Sequence, residues 1–142
     1  MHIVFGIALI VHALITLAIS AGSFAPQQNI PNPNWLRWWP SQLGQSWILP
    51  GIGWRGGLIW LVAGLLLLGA GLGFFGFLIP LAWWIPLAIA GATLGLIALI
   101  LYFHPYYLLG VLINIGILWV ALNAVLRPDS SMAEFFGAQA CC

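Results

Sequence analysis

The chain is predicted to be an all-α integral membrane protein: four transmembrane helices in an antiparallel bundle, with a Trp-rich interfacial loop between the first and second helices. Three observations carry this prediction. Of 142 residues only three are Lys or Arg and two are Asp or Glu, so 4% are charged, against roughly 25% in soluble domains. Hydrophobic residues make up 63% of the chain, and the mean hydropathy is +1.11. Finally, no Asp, Glu, Lys or Arg occurs between Gly56 and Leu126. A water-soluble fold would have too few polar groups to cover its surface.

The first apolar segment runs from about Ile3 to Ala21, close to the roughly 20 residues needed to cross a bilayer. It lacks a basic leader, its apolar run exceeds that of a signal peptide, and Pro26 disfavours cleavage after Ser23-Phe24-Ala25. It is therefore expected to be retained. A long loop, 22–56, follows. The second span covers about 57–75, the third about 83–103, and the fourth about 106–126. Backbone groups in lipid must satisfy one another, and no strand-like alternation is present, so all four are expected to be helices. Gly76 to Ala82, with Pro80, makes a tight hairpin, and Pro86 falls in the first turn of the third helix, where proline is tolerated. His104-Pro105 breaks the chain before the fourth helix. The tail, 127–142, is polar and begins at Arg127-Pro128. All of this reads as a single membrane domain.

The charges also exclude functions. Without a cluster of Lys or Arg there is no footprint for nucleic acid. All five formal charges (Arg37, Arg55, Arg127, Asp129, Glu134) fall in the loop or the tail. An ionisable carboxylate or amine inside a span is the usual mark of a proton relay or ion-coupled carrier, and here there is none.

The loop holds Trp35, Trp38, Trp39, Trp47 and Trp54 of the nine Trp. Asn32-Pro33 is a plausible helix start and Pro40 a stop, and Trp35, Trp38 and Trp39 then share one face at i, i+3 and i+4. Tryptophan favours the headgroup layer, so the segment is expected to anchor the protein in the interface and contact lipid. The alternative is that the aromatic face docks a partner subunit or frames a pigment or quinone. Trp60, Trp83, Trp84 and Trp119 are expected to be belt or packing residues.

Within the spans, Gly69-x-x-x-Gly73 and Gly91-x-x-x-Gly95, with Ala88 and Ala92, are small-residue pairs that let helices approach closely. Ala8, His12, Thr16 and Ser20 recur every four residues and are expected on one face, pointing into the bundle or towards a partner. A neutral His12 could ligate haem iron or the magnesium of a (bacterio)chlorophyll, and Ala8-x-x-x-His12 resembles the spacing of pigment-binding light-harvesting helices. The competing reading is a histidine hydrogen-bonded across helices. Asn114 and Asn123 are expected to bond between helices. His104 is expected at the interface on water or headgroups, too far from His12 for shared haem ligation, and His2 in solvent.

Cys141 and Cys142 are adjacent and have no neighbouring zinc ligands. Free thiols suit a reducing compartment, which points to a cytoplasmic tail. Four spans place both termini together, and Arg127 on that side faces Arg37 and Arg55 on the other, a margin of one arginine for the positive-inside rule.

The first helix (FGIALIVHALITLAIS), the long loop, the Leu/Gly-rich second helix (LVAGLLLLGAGLG) and a fourth helix reading LLGVLINIGILWVALN are together similar to the DoxX-like group of small prokaryotic four-helix membrane proteins. The resemblance implies a prokaryotic inner or cell membrane location, and a kinship with small subunits of quinone-linked sulfur oxidoreductases. That group's acidic residue at the head of the second helix is replaced here by Arg55-Gly56-Gly57, so no catalytic role is implied for these residues.

These features predict a non-catalytic accessory subunit of a larger, energy-transducing (photosynthetic or respiratory) membrane complex. Its partners would be other integral membrane subunits and lipids, and it would have no cofactor of its own. The alternatives are a cofactor-contacting subunit, with His12 ligating (bacterio)chlorophyll or haem or aromatic residues lining a quinone, and an oxidoreductase partner or small-solute carrier of the DoxX-like, quinone-linked kind.

Overall fold

Uninterrupted apolar sequence forms helix wherever no proline or left-handed residue stops it. The computed structural model describes residues 2–24, 32–49, 51–52 and 54–126. It comprises α1 (His2–Phe24), α2 (Trp54–Phe74), α3 (Trp84–Leu101) and α4 (Leu108–Leu126). One-turn 3-10 segments at Leu81–Trp83 and Pro105–Tyr107 lead into α3 and α4, and a third lies in the loop at Asn34–Leu36. Four helical stretches are long and apolar enough to cross a membrane, and no strand occurs among the described residues. Tail residues Arg127, Cys141 and Cys142 lie outside the described residues.

The turn between α2 and α3 is set by local backbone chemistry. Gly76 adopts φ +65°, its N–H donates to the Gly73 carbonyl at 2.9 Å, and that of Phe77 reaches back to Leu72 at 2.9 Å. This is the Schellman ending that a left-handed glycine allows. Leu78 is also left-handed, at φ 63°, a conformation that a β-carbon disfavours.

Helices pack in chain order: α1 on α2, α2 on α3, α3 on α4, while α1 and α4 meet at only a few points. Close approach depends on glycine, but not principally on the expected pair in α2. Gly57, Gly64 and Gly71 recur every seven residues, two helical turns apart, and face α1. A β-carbon at Gly64 would lie 2.7 Å from Leu17 Cγ, and one at Gly71 would lie 2.6 Å from Ile10 Cγ1. Ser20 Oγ adds a hydrogen bond to the Gly57 carbonyl at 3.0 Å. Gly69 and Gly73 instead face the turn and α3, where the nearest atoms to a β-carbon are the tips of Ile79 and Leu87 at 3.2–3.3 Å. In α3, Gly91 is the tightest point against α2: its β-carbon would meet the Leu67 backbone nitrogen at 2.9 Å.

Small residues bring the helices together, and aromatic residues fill the ends. Leu9, Ala13, Leu67, Ala70, Ala88, Ala92, Ile117 and Ala121 are buried in one cluster. It is closed by Phe5, Phe74 and Trp84, whose rings meet edge to face at 5.3–6.3 Å. Towards the loop, Trp60, Ala98, Leu99 and Tyr102 form a second cluster. Trp60 and Trp84 are thus packing residues, while Trp83 and Trp119 are exposed.

Candidate functional site

Two groups of polar side chains are concentrated in the fold, one between the helices and one beneath the loop. The first centres on His12. His12, Thr16 and Ser20 are buried as expected, but Ala8 is exposed and the inward position of that turn is taken by Leu9. A helix turns 100° per residue, so a strict four-residue step drifts around its axis, and by Ala8 the stripe has reached the outside. Thr16 Oγ1 donates to the His12 carbonyl at 2.8 Å.

Asn114 of α4 lies beside the His12 ring, yet neither His12 Nε2 nor Asn114 Oδ1 meets hydrogen-bond geometry with any partner. Both residues are more than nine-tenths buried. The Asn114 amide nitrogen donates to the Gly110 carbonyl within α4 at 2.8 Å, which leaves Oδ1 turned away from its own backbone. It rests on Gly95 of α3, where a β-carbon would come within 2.8 Å of Oδ1. Gly95 therefore makes room for a polar side chain rather than for a helix backbone. Asn123 also bonds within α4, to the Trp119 carbonyl at 2.8 Å. Asn123 thus bonds within its own helix, while Asn114 approaches His12 across the α1–α4 joint without meeting full hydrogen-bond geometry.

The second group lies at the loop end of α3. That helix stops at Leu101, and its last carbonyls lack the usual partners four residues on. For Leu101 the loss is absolute, because position 105 is proline and has no N–H. The Trp-rich loop supplies the missing donors. Trp47 Nε1 donates to Ile100 O at 2.7 Å, and Ser46 Oγ to Leu101 O at 2.7 Å. Phe103 O accepts from Ser41 Oγ at 3.0 Å and, more weakly, from Trp39 Nε1 at 3.4 Å. Ser46 Oγ also accepts the Leu49 N–H at 3.0 Å.

The loop is therefore a tertiary cap on α3 as well as a ring of aromatics. Its expected helix over the three tryptophans shrinks to the single turn Asn34–Leu36. Trp35 packs edge-on against Tyr106 at 5.5 Å, and Trp39 against Phe103 at 5.4 Å and Trp38 at 5.3 Å. Trp35, Trp38, Trp47 and Trp54 remain exposed, in keeping with an interfacial position.

His104 is not at the surface as its place beside a turn suggests; its side chain is fully buried. Its Nε2 lies 3.2 Å from Asn32 Oδ1, and its Nδ1 accepts the Tyr106 backbone N–H at 3.4 Å. The Tyr106 ring stacks on it at 5.3 Å. Asn32 in turn donates from Nδ2 to the carbonyls of Trp39 at 3.1 Å and Ser41 at 2.7 Å. Sequence reading missed this network, although Pro105 carried a signal: it orphans one carbonyl, and the loop is rich in side-chain donors. Nearby, the buried Tyr102 hydroxyl has no hydrogen-bond partner. It lies over the Cα of Gly56, where a β-carbon would collide with it.

Among the described residues, no three of His, Cys, Asp or Glu come together as metal ligands would. No protein-family model, curated protein or solved structure matches the chain.

Proposed function

We propose that the chain is a non-catalytic accessory subunit of a larger membrane complex, of the energy-transducing kind, in a prokaryotic inner membrane with both termini on the cytoplasmic side. The observation that carries this reading is how the polar side chains are used. Asn32, Ser41, Ser46 and Trp47 of the loop, and His104 beneath it, are engaged in holding the chain to itself. What the helices turn outward is chiefly apolar, and α4 is the least buried of the four spans. Leu109, Leu112, Ile115, Trp119 and Leu122 stand along its outer side. Such a face suits lipid or the helices of neighbouring integral membrane subunits, and the exposed loop tryptophans suit the headgroup layer.

The test is extraction of the tagged protein from native membranes in mild detergent, with mass spectrometry of what co-migrates. Stoichiometric recovery of membrane subunits is expected, and recovery of the chain as a lone monomer would refute the reading. If the co-migrating subunits belonged to a quinone-linked oxidoreductase, the DoxX-like alternative would gain over a purely structural role.

A second reading draws on His12, whose buried Nε2 has no partner, the state in which a neutral imidazole ligates a tetrapyrrole. The residues fit such a ligand only if α4 gives way, because Asn114 stands beside the ring. The limited contact between α1 and α4 makes that joint the natural entry. A visible absorption spectrum of the native protein without tetrapyrrole bands would remove this reading.

A further inference from the structure

His104 joins three parts of the molecule: the end of α3, the start of α4 and the Trp-rich loop. Asn32 determines how its ring is protonated. The Asn32 amide nitrogen donates to two carbonyls, those of Trp39 and Ser41, so its oxygen is the atom turned towards His104 Nε2 at 3.2 Å. Two acceptors cannot bond, hence Nε2 carries a hydrogen and donates. Nδ1 then holds a lone pair and takes the Tyr106 N–H. The Nδ1 contact demands a neutral imidazole; the Nε2–H would still donate from an imidazolium, but by pinning the ring on Asn32 it holds Nδ1 against the Tyr106 N–H.

We propose that the His104–Asn32 pair is an acid-sensitive latch: it holds the loop of residues 32–49 on the end of α3 while the imidazole is neutral, and releases it when the ring is protonated. A proton on Nδ1 would point at the Tyr106 N–H, so an accepted hydrogen bond becomes two donors face to face. It would also create a buried charge without a counter-ion. The titratable groups facing the ring are the phenols of Tyr106, stacked at 5.3 Å, and Tyr107, edge-on at 6.3 Å. From the loop, the group in contact is the neutral amide of Asn32. Among the described residues the only formal charges are Arg37 and Arg55, both exposed and both of the wrong sign to compensate.

Burial lowers the pKa of His104 below the ordinary 6.5. In the released loop the ring would titrate near that ordinary value, so the open form binds the proton more tightly than the closed form. The latch is therefore fully effective above about pH 6.5 and weakens as pH falls below it. The open fraction rises by about tenfold per pH unit until the buried ring itself titrates. Release would take Ser41, Ser46 and Trp47 off the carbonyls of Phe103, Leu101 and Ile100 together, because all lie on the one segment.

The experiment is hydrogen–deuterium exchange of the 32–49 segment in the full-length protein in lipid nanodiscs. Exchange would be followed from about pH 8 to about pH 5 and corrected for the intrinsic rate, so that linkage appears as an excess opening. Wild type should open progressively below about pH 6.5. His104→Gln, which retains an N–H donor but cannot titrate, should show a pH-independent opening. A flat wild-type profile, or the same acid dependence in His104→Gln, would overturn the latch. Should the variant fail to fold, nitrogen NMR of wild-type His104 decides: the Nε2–H tautomer at neutral pH is required, and the Nδ1–H tautomer rules the mechanism out.

Discussion

Glycine substitutions separate positions that look alike in sequence. Gly91→Ala would drive a β-carbon to 2.9 Å from the Leu67 backbone nitrogen, and backbone cannot rotate aside as a side chain can. A loss of about 1–3 kcal/mol is expected, typical of an overpacked core. Gly116→Ala on α4 meets nothing within 4 Å and should lie within about 1 kcal/mol of wild type, on the stabilising side, because alanine favours helix. Thermal unfolding midpoints of both variants in the same detergent check the contrast, and equal shifts would contradict it. For His12 and Asn114, a double-mutant cycle with leucine at each position should give a coupling near 0.6 kcal/mol, the ordinary value between membrane helices. Their atoms lie side by side without a formed bond, so a coupling of several kcal/mol would show that they close into one. His12 and Asn114 were both legible as polar residues within apolar spans. Their adjacency was not, because it depends on how α1 and α4 rotate against each other and on the space left by Gly95.

At the scale of the element, the end of α3 is the informative place. A helix that stops at Leu101, three residues before a His-Pro break, has carbonyls with no partner in its own backbone, and in lipid each such group is costly. Trp47→Phe keeps the ring and removes the 2.7 Å bond to Ile100 O, and Ser46→Ala removes the 2.7 Å bond to Leu101 O. Each should cost about 0.5–1.5 kcal/mol. Their shared signature would be faster amide exchange at the last turn of α3, with α1 unchanged. Exchange altered equally in α1 and α3 would mean that the loop acts on the whole bundle and not as a cap. The periodic reading of Trp35, Trp38 and Trp39 correctly found aromatics bound for one neighbourhood. It overestimated the helix, because the polar contacts that shape the segment run to α3 and not along its own backbone.

Across the whole molecule, the odd joint is that between α1 and α4, which barely touch, while every consecutive pair packs closely. A closed bundle would bury both flanks of α4; here much of it faces outward. If all four helices cross the membrane, as their length and apolarity allow, the loop lies on the side opposite the start of α1 and the end of α4. In a cysteine-free background, Gln45→Cys and Leu126→Cys should react with a membrane-impermeant thiol reagent from opposite faces. Labelling from the same face would require one of the four spans not to cross.

The amino-acid sequence by itself determined that the chain is helical, that it has four spans, and approximately where each begins and ends. Near-absence of charge and the length of the apolar runs suffice for that, because in lipid a backbone has no alternative to internal hydrogen bonding. Proline and glycine marked the breaks for the same local reason. The tertiary structure alone decided which glycines permit contact, since Gly57, Gly64 and Gly71 differ from Gly69 and Gly73 only in which neighbour they face. It alone decided that His104 is buried and that the loop caps α3. Those outcomes depend on donors and acceptors far apart in the chain, such as Asn32 and His104 or Trp47 and Ile100, which composition and spacing cannot pair. The few charges of the chain therefore identify its solvent, and its uncharged polar side chains, through the partners that folding gives them, hold its shape.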